Sequence, residues 1–388
     1  MLSIVSLLEL AKMEPFKNLF SPELVKCIAF HLDKHIASFD RETFESSILN
    51  TLDSLELKER AQLIADQLHL VLPSEFDARR AVLYAILHPE EIDNADKISD
   101  EDGIRNWGIF PLTLVVGQHG TDEIESSLAL LKEMTKRFTS EFGIRDLILA
   151  DQDKALLVLQ QWVTDPNHHV RRLISEGTRP RLPWAKQLPK LIKDPSPMLP
   201  LLEALRDDKE EYVRRSVANH LNDIAKDHPE LVAELANKWM IDADKNREKL
   251  VRHACRSLIK QGHPLTLKAF GIDPPEIALT DFGIESDQVI FGTALDFKAK
   301  LLSTSDKPQD LIIDYSIHLL KANGKTAAKV FKGTKVTIDA GETYQFQKKH
   351  AIKPITTRKY YPGVQAVSLR INGNDFGYIE FDLVMEEH

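Results

Sequence analysis

Up to about Phe270 the apolar residues recur at three- and four-residue intervals, as in Phe138, Phe142 and the run Ile144 to Leu149, which predicts helices almost throughout. Capping residues stand ahead of such patterns at Ser21-Pro22, Ser74-Glu75, Asp122-Glu123, Asp194-Pro195 and Asp208. Breakers at Pro73, Pro89, Gly103, Gly120, Pro166, Pro180 and Pro229 cut the region into units the size of helical hairpins. Three segments repeat: DPNHHVRRLISEG from Asp165, DDKEEYVRRSVANHL from Asp207 and DKNREKLVRHACRSL from Asp244. Their core valines, Val170, Val213 and Val251, lie roughly 40 residues apart, the period of HEAT-type helix pairs, each of which needs a neighbour to cover its apolar face.

After Gly271-Ile-Asp-Pro-Pro275 the pattern changes to β-rich runs: Val289–Phe291, Leu311–Leu320, Lys325–Phe331, Val364–Ile371 and Phe376–Val384, punctuated by Asn323-Gly324, Lys332-Gly333, Gly341 and Asn372-Gly373. About seven short strands are expected, in a β-sandwich of immunoglobulin-like type. The expected architecture is an all-α HEAT-like helical-repeat solenoid over 1–270, a linker at 271–275 and an all-β immunoglobulin-like sandwich over 276–388.

Composition narrows the function classes. The chain of 388 residues is 43% hydrophobic and 28% charged, an ordinary soluble balance. No apolar run approaches the roughly 20 residues a spanning helix needs, so no membrane partner is expected. The opening MLSIVSLLELAKM has no basic residue ahead of its apolar stretch and carries Glu9, which suits an amphipathic helix better than a signal peptide. Cys27 and Cys255 are far apart and form no CxxC pattern, which points away from a disulfide framework and a thiolate zinc site and fits a reducing cytoplasm. Adjacent His168-His169 diverge by about 100° on a helix and suit capping or surface roles better than metal binding, so neither metal nor cofactor is expected.

A net charge of −9 would disfavour a polyanionic partner if it were spread evenly. It is not. Asp165 to Pro195 carries seven Lys/Arg against three Asp/Glu, and Lys348 to Gly363 carries five Lys/Arg, no acid, and Tyr360-Tyr361. Each patch can be a solvated face or an anion-facing one. The recurrence of Arg171, Arg172, Arg179, Arg181, Arg214, Arg215 and Arg252 once or twice per repeat would place a basic track for DNA phosphates on one concave surface. About half are expected to touch DNA, the others bracing neighbouring acids, with Arg172 holding Glu176. Lys348, Lys349, Lys353, Arg358 and Lys359 are expected to form a DNA-contacting loop on the sandwich, with Tyr360 and Tyr361 beside them to pack on sugar or backbone.

RFTSEFGIRDL (Arg137–Leu147), HVRRLISEGTRPRLPWA (His169–Ala185) and VRRSVANHLNDIAKDHP (Val213–Pro229), with MEPFKNLFSPELV from Met13, resemble the AlkC branch of the AlkC/AlkD bacterial DNA-alkylation repair glycosylases, in the subgroup with an immunoglobulin-like domain. The resemblance covers nearly the whole chain from Met13, so residues 1–12 are expected to lie outside the functional core. It implies a monomeric, monofunctional N-glycosylase acting on duplex DNA, releasing cationic bases such as 3-methyladenine and 3-methylcytosine. It also implies that the backbone is engaged from outside while the lesion stays largely in the helix. Glu141, Glu176 and Asp223 occupy the positions of the family's active-site carboxylates, and Trp184 that of a lesion-pocket aromatic.

The chemistry of the residues agrees. An alkylated purine is already positive and needs no protonation to leave, while charge moves onto the deoxyribose as an oxocarbenium-like ion that fixed carboxylates stabilise. A carboxylate can also align water for attack, and an indole face attracts a cationic base. Without the resemblance, Glu141 with Arg145 and Arg172 with Glu176 read as ordinary i,i+4 surface ion pairs, Asp223 as a solvated residue and Trp184 as a core plug. The competing reading is a non-enzymatic helical-repeat adaptor that binds protein or damaged DNA.

Overall fold

The computed structural model describes residues 16–91, 98–356 and 358–385, so residues 1–12 lie outside the described residues. Among the described residues, sixteen α-helices occur between Pro22 and Ala269, and eight strands between Ile277 and Val384. By packing, the chain divides into two compact units, 1–227 and 228–388. Among the described residues, no helix is long and apolar enough to cross a membrane.

In the first unit, capping fixes where helices begin. Ser21 accepts from the Leu24 N–H at the head of Pro22–His35, and Asn167 accepts from the His169 N–H at the head of His168–Gly177. The repeat is visible in helices His168–Gly177 and Glu211–Ile224, which pack on one another and bury Val170 and Val213 completely. Arg171 reaches from one repeat to the next, where it forms a two-toothed ion pair with Asp208 (2.6 and 2.9 Å). Asp208 also caps a turn by accepting from the Glu210 N–H.

One close approach depends on glycine. Helix Ile109–His119 carries Gly117 against Gly143, the residue ahead of helix Ile144–Ala150, and a Cβ on Gly143 would overlap the Thr113 carbonyl. Backbone cannot retreat as a flexible side chain can. Gly143→Ala is therefore expected to destabilise the unit by about 3 kcal/mol, and an unchanged denaturation midpoint would show that the helices part more easily than this packing implies.

In the second unit the strands are β1 (Ile277–Ile284), β2 (Gln288–Ile290), β3 (Ala294–Ser303), β4 (Gln309–Leu320), β5 (Thr326–Ile338), β6 (Thr343–Ala351), β7 (Gly363–Ile371) and β8 (Asn374–Val384). They form a three-stranded sheet, β1-β3-β6, and a five-stranded sheet, β2-β8-β7-β4-β5. All neighbours are antiparallel except β2 and β8. Inward residues such as Phe297, Tyr315, Ile317, Phe346 and Leu369 fill the core. Helix Arg256–Gln261 is fastened to the β7–β8 turn: Gly262 meets Gly373 backbone to backbone, both at positive φ, and the Asn372 amide donates to the carbonyls of Asp273 and Asp310.

Two sequence expectations change here. Lys348 and Lys349 lie on strand β6 rather than in a loop, because the alternation that turns Tyr344 and Phe346 inward continues through them. Tyr360 belongs to the sandwich core beside Phe291 (ring centroids 5.5 Å), so its ring is not available to pack on a nucleic-acid backbone.

Candidate active site

Three stretches of the first unit supply the site: the segment 139–143, which turns at 141–143, helix His168–Gly177 with the loop after it, and helix Glu211–Ile224. Glu141 sits in the turn. Its Oε2 accepts from the Thr139 hydroxyl (2.7 Å) and from Arg172 (2.6 Å), while Oε1 carries no hydrogen bond among the described residues. Arg172 also lies 3.7 Å from Glu176, so it serves both acids but binds Glu141 more closely. Burial works against the Arg172 charge; Glu141, Tyr212 and Glu176 together outweigh it and hold the guanidinium more firmly protonated than usual.

Glu176 is buried. Oε1 accepts from Arg179 (2.7 Å) and Oε2 from the Ser216 hydroxyl (2.7 Å). Burial pushes its carboxyl upward, but Arg172, Arg179 and Ser216 prevail and hold it below the usual glutamate range, so it is anionic at neutral pH. Arg179 spans to Asp223 (2.8 Å), whose other oxygen accepts from Lys226 (2.9 Å). The three acids are thus joined in one alternating chain, Glu141–Arg172–Glu176–Arg179–Asp223–Lys226.

Beside this chain lies a cleft of about 320 Å³ walled by Trp107, Phe110, Phe138, Phe142, Leu182 and Trp184, with Glu141 and Glu176 on its lining. Trp184 is 70% exposed, which rules out a core plug. Its backbone is at φ +64°, a left-handed conformation that costs energy for a tryptophan, and Lys58 donates to its carbonyl (2.7 Å). Asp223 does not line the cleft and reaches it only through Arg179. A larger trough of about 870 Å³ near Trp162 has its charges already paired, Glu125 with Lys154 and Lys132 with Asp165, and holds none of the three acids.

Arg145 departs from the surface pair with Glu141 that the spacing suggests. Glu141 precedes the helix in a turn, so the i,i+4 geometry does not apply, and Arg145 is wholly buried. It donates to the carbonyls of Lys186 (2.5 Å), Gly177 (2.9 Å) and Arg179 (2.9 Å), tying down the loop that carries Arg179 and Trp184. Burial pushes its guanidinium down to about 10, still protonated at neutral pH. Sequence reasoning also missed Thr139, Ser216, Lys58 and the cleft aromatics other than Trp184; of these only Phe138, Thr139, Phe142 and Ser216 fall inside the motifs that carry the acids.

The remaining arginines divide by environment. Arg171 is committed to Asp208, and Arg214 turns to the carbonyls of Asp208 (2.5 Å) and Lys209 (2.9 Å). Arg181 makes a half-exposed pair with Asp227. Arg215 is exposed beside Glu211, as is Arg252 beside Glu248. On the sandwich, Lys348, Lys353, Arg358 and Lys359 have no acidic partner among the described residues, and Lys349 lies 3.7 Å from Asp296. Lys329, which the sequence did not single out, sits near Arg358 and Lys260; desolvation lowers its ammonium and repulsion from these two cations lowers it further. Of potential metal ligands, the described residues group only His88, Asp100 and Asp102; Asp100 is already paired with Arg105.

His220 is buried behind the acids, with Nδ1 hydrogen-bonded to the Ser175 carbonyl (2.8 Å). Burial drops its imidazole from the ordinary 6.5 to about 4, so the folded state holds it neutral. The unfolded chain binds the proton first as pH falls, so the stability it contributes is complete above 6.5 and is lost progressively toward 4. His220→Asn should remove on the order of 3 kcal/mol of that pH dependence. Parallel stability–pH curves for variant and wild type would refute the assignment.

A helical-repeat scaffold thus gathers three carboxylates beside an aromatic cleft, with an immunoglobulin-like sandwich in the same chain. The profile described as DNA alkylation repair enzyme matches residues 124–258, and the one described as the C-terminal Ig-like domain of the uncharacterised protein YhaZ matches residues 278–385. The chain is 35% identical to "Uncharacterized protein YhaZ" of Bacillus subtilis (strain 168) over 96% of its own length and all of that protein's. It is also similar to the Pseudomonas fluorescens alkylpurine DNA glycosylase AlkC, solved bound to DNA containing an abasic site analog, with a TM-score of 0.79, 34% identity, and coverage of 96% of this chain and 100% of that one. The chain belongs to the AlkC family.

Proposed function

We propose that the protein is a DNA N-glycosylase that hydrolyses the N-glycosidic bond of cationic alkylated bases, 3-methyladenine and 3-methylcytosine among them, in duplex DNA. The observation that carries this reading is Glu141: one oxygen is fixed by Thr139 and Arg172, the other is free, and the carboxylate lines an aromatic cleft shared with anionic Glu176. A cationic base leaves without protonation, so the protein's task is to stabilise the sugar. Glu176 supplies a fixed negative charge, Glu141 Oε1 orients the attacking water, and Asp223 acts through Arg179. Trp184, exposed at the rim, faces the positive base. An open rim of this kind suits approach from the backbone side, with the lesion remaining largely stacked.

The exposed Arg215 and Arg252 and the half-exposed Arg181 are the best candidates for phosphate contacts, while Arg171, Arg172, Arg179 and Arg214 serve as braces. The sandwich adds a second basic surface, from Lys348, Lys349, Lys353, Arg358 and Lys359, which holds DNA without entering the chemistry. Neutralising these five should weaken DNA binding and flatten its salt dependence, by up to about 0.9 in the log–log slope for each phosphate that is no longer neutralised. An unchanged slope in a folded variant would remove the sandwich from the DNA-binding surface.

Purified protein incubated with methylated duplex DNA tests the function: an enzyme releases free base and leaves alkali-labile sites. Binding without either product would establish the adaptor reading instead.

A further inference from the structure

Tyr212 was singled out by no motif, yet it packs against Arg172, the cation shared by Glu141 and Glu176. It is the second residue of helix Glu211–Ile224, and its ring takes the Arg172 guanidinium on its face at 4.9 Å. Two imidazoles fix the ring's orientation edge-on, His168 at 6.2 Å and His169 at 5.7 Å between centroids. The ring is 43% exposed, and its hydroxyl makes no hydrogen bond among the described residues. The part of Tyr212 that is used is therefore the π face, not the phenol.

Arg172 is a long side chain with two acids to choose between, Glu141 at 2.6 Å and Glu176 at 3.7 Å. If it swung fully to Glu176, Glu141 would lose the stronger of the two bonds that leave Oε1 free, and Glu176 would be over-neutralised. The aromatic face opposes that swing by attracting the cation where it now lies. We infer that Tyr212 is a positioning residue for the glycosylase reaction, holding Arg172 over its ring so that Glu141 keeps one oxygen fixed and the other free. This deepens the proposed function and rests on it.

The test uses full-length protein with two readouts. The first is the single-turnover excision rate alongside DNA affinity. The second needs no turnover: equilibrium binding of duplexes bearing a cationic pyrrolidine abasic mimic or its neutral tetrahydrofuran counterpart, whose ratio reports preference for positive charge at the sugar. Tyr212→Leu should lower both the rate and the ratio by about tenfold, with affinity for the neutral duplex within about twofold. Tyr212→Phe, which keeps the ring, should restore both. In a Glu141→Gln background the Leu substitution should add little, because the two act on one path.

A Tyr212→Leu protein that keeps the wild-type rate and ratio overturns the inference and leaves the glycosylase reading intact. So does a Phe variant as impaired as Leu, which would place the function in the hydroxyl. A wild-type protein with no preference for the cationic duplex and no excision sinks the glycosylase reading, and this inference with it.

Discussion

Arg179→Met is expected to unfold the first unit at a lower temperature by on the order of 10 °C, the largest stability loss of any single change in the site. Among the described residues, Arg179 is the only cation that touches both Glu176 and Asp223, and both acids are buried. Its removal strands the Glu176 carboxylate with Ser216 and the more distant Arg172, while Asp223 keeps Lys226. Breaking a buried pair from one side costs about 3–5 kcal/mol, because the partner charge stays in low dielectric. The sign of its pH dependence follows from Glu176. Its carboxyl is depressed in the fold, so the stability it contributes is present above the ordinary 4.5 and is lost as pH falls through the folded value. The gap between wild type and Arg179→Met should therefore narrow under acid. Melting curves at neutral and acidic pH check both points, and a variant as stable as wild type at neutral pH would show that the ion-pair chain is not fastened as described.

Glu141→Gln is expected to slow single-turnover excision by about 10²–10³, with DNA affinity changed only a few-fold. The amide keeps the shape but removes the charge and the water-orienting oxygen at the carboxylate with a free acceptor on the cleft. Glu176→Gln should also lower the rate, by about 10², through loss of field alone, since both its oxygens are already engaged by Arg179 and Ser216. Asp223→Asn should slow the rate least, by about tenfold, because it does not line the cleft and acts through Arg179. Equal losses at all three positions would mean that the acids work as an undivided unit. Wild-type rates in all three would remove them from the chemistry.

Much of the helical scaffold could be read from the chain because its parts repeat. Val170 and Val213 announce a period, and burial of both in packed helices is what that period demands. The acids were found as members of three long motifs, never singly: spacing alone makes Glu141 a partner for Arg145, and the structure shows why it is not. A turn separates them, and Arg145 spends its donors on carbonyls some 30 to 40 residues away in sequence. The same limit hid the Arg171–Asp208 pair and the cation–π contact of Arg172 with Tyr212, both of which join different helices. In the sandwich, alternation located β4, β7 and β8 closely. It missed that Lys348 and Lys349 continue β6, since lysines on an edge strand look locally like a solvated loop.

If these carboxylates act on a bond whose leaving group is already positive, charge on the base decides whether it is released. The measurement is single-turnover release of 3-methyladenine from duplex DNA, set beside its uncharged isostere 3-deaza-3-methyladenine in the same sequence. The two bases share a shape and differ in charge. Rapid release of the cationic base and none of the neutral one over the same interval, with both duplexes bound, is the expected result. Equal release of the two, or binding of both with release of neither, would contradict it.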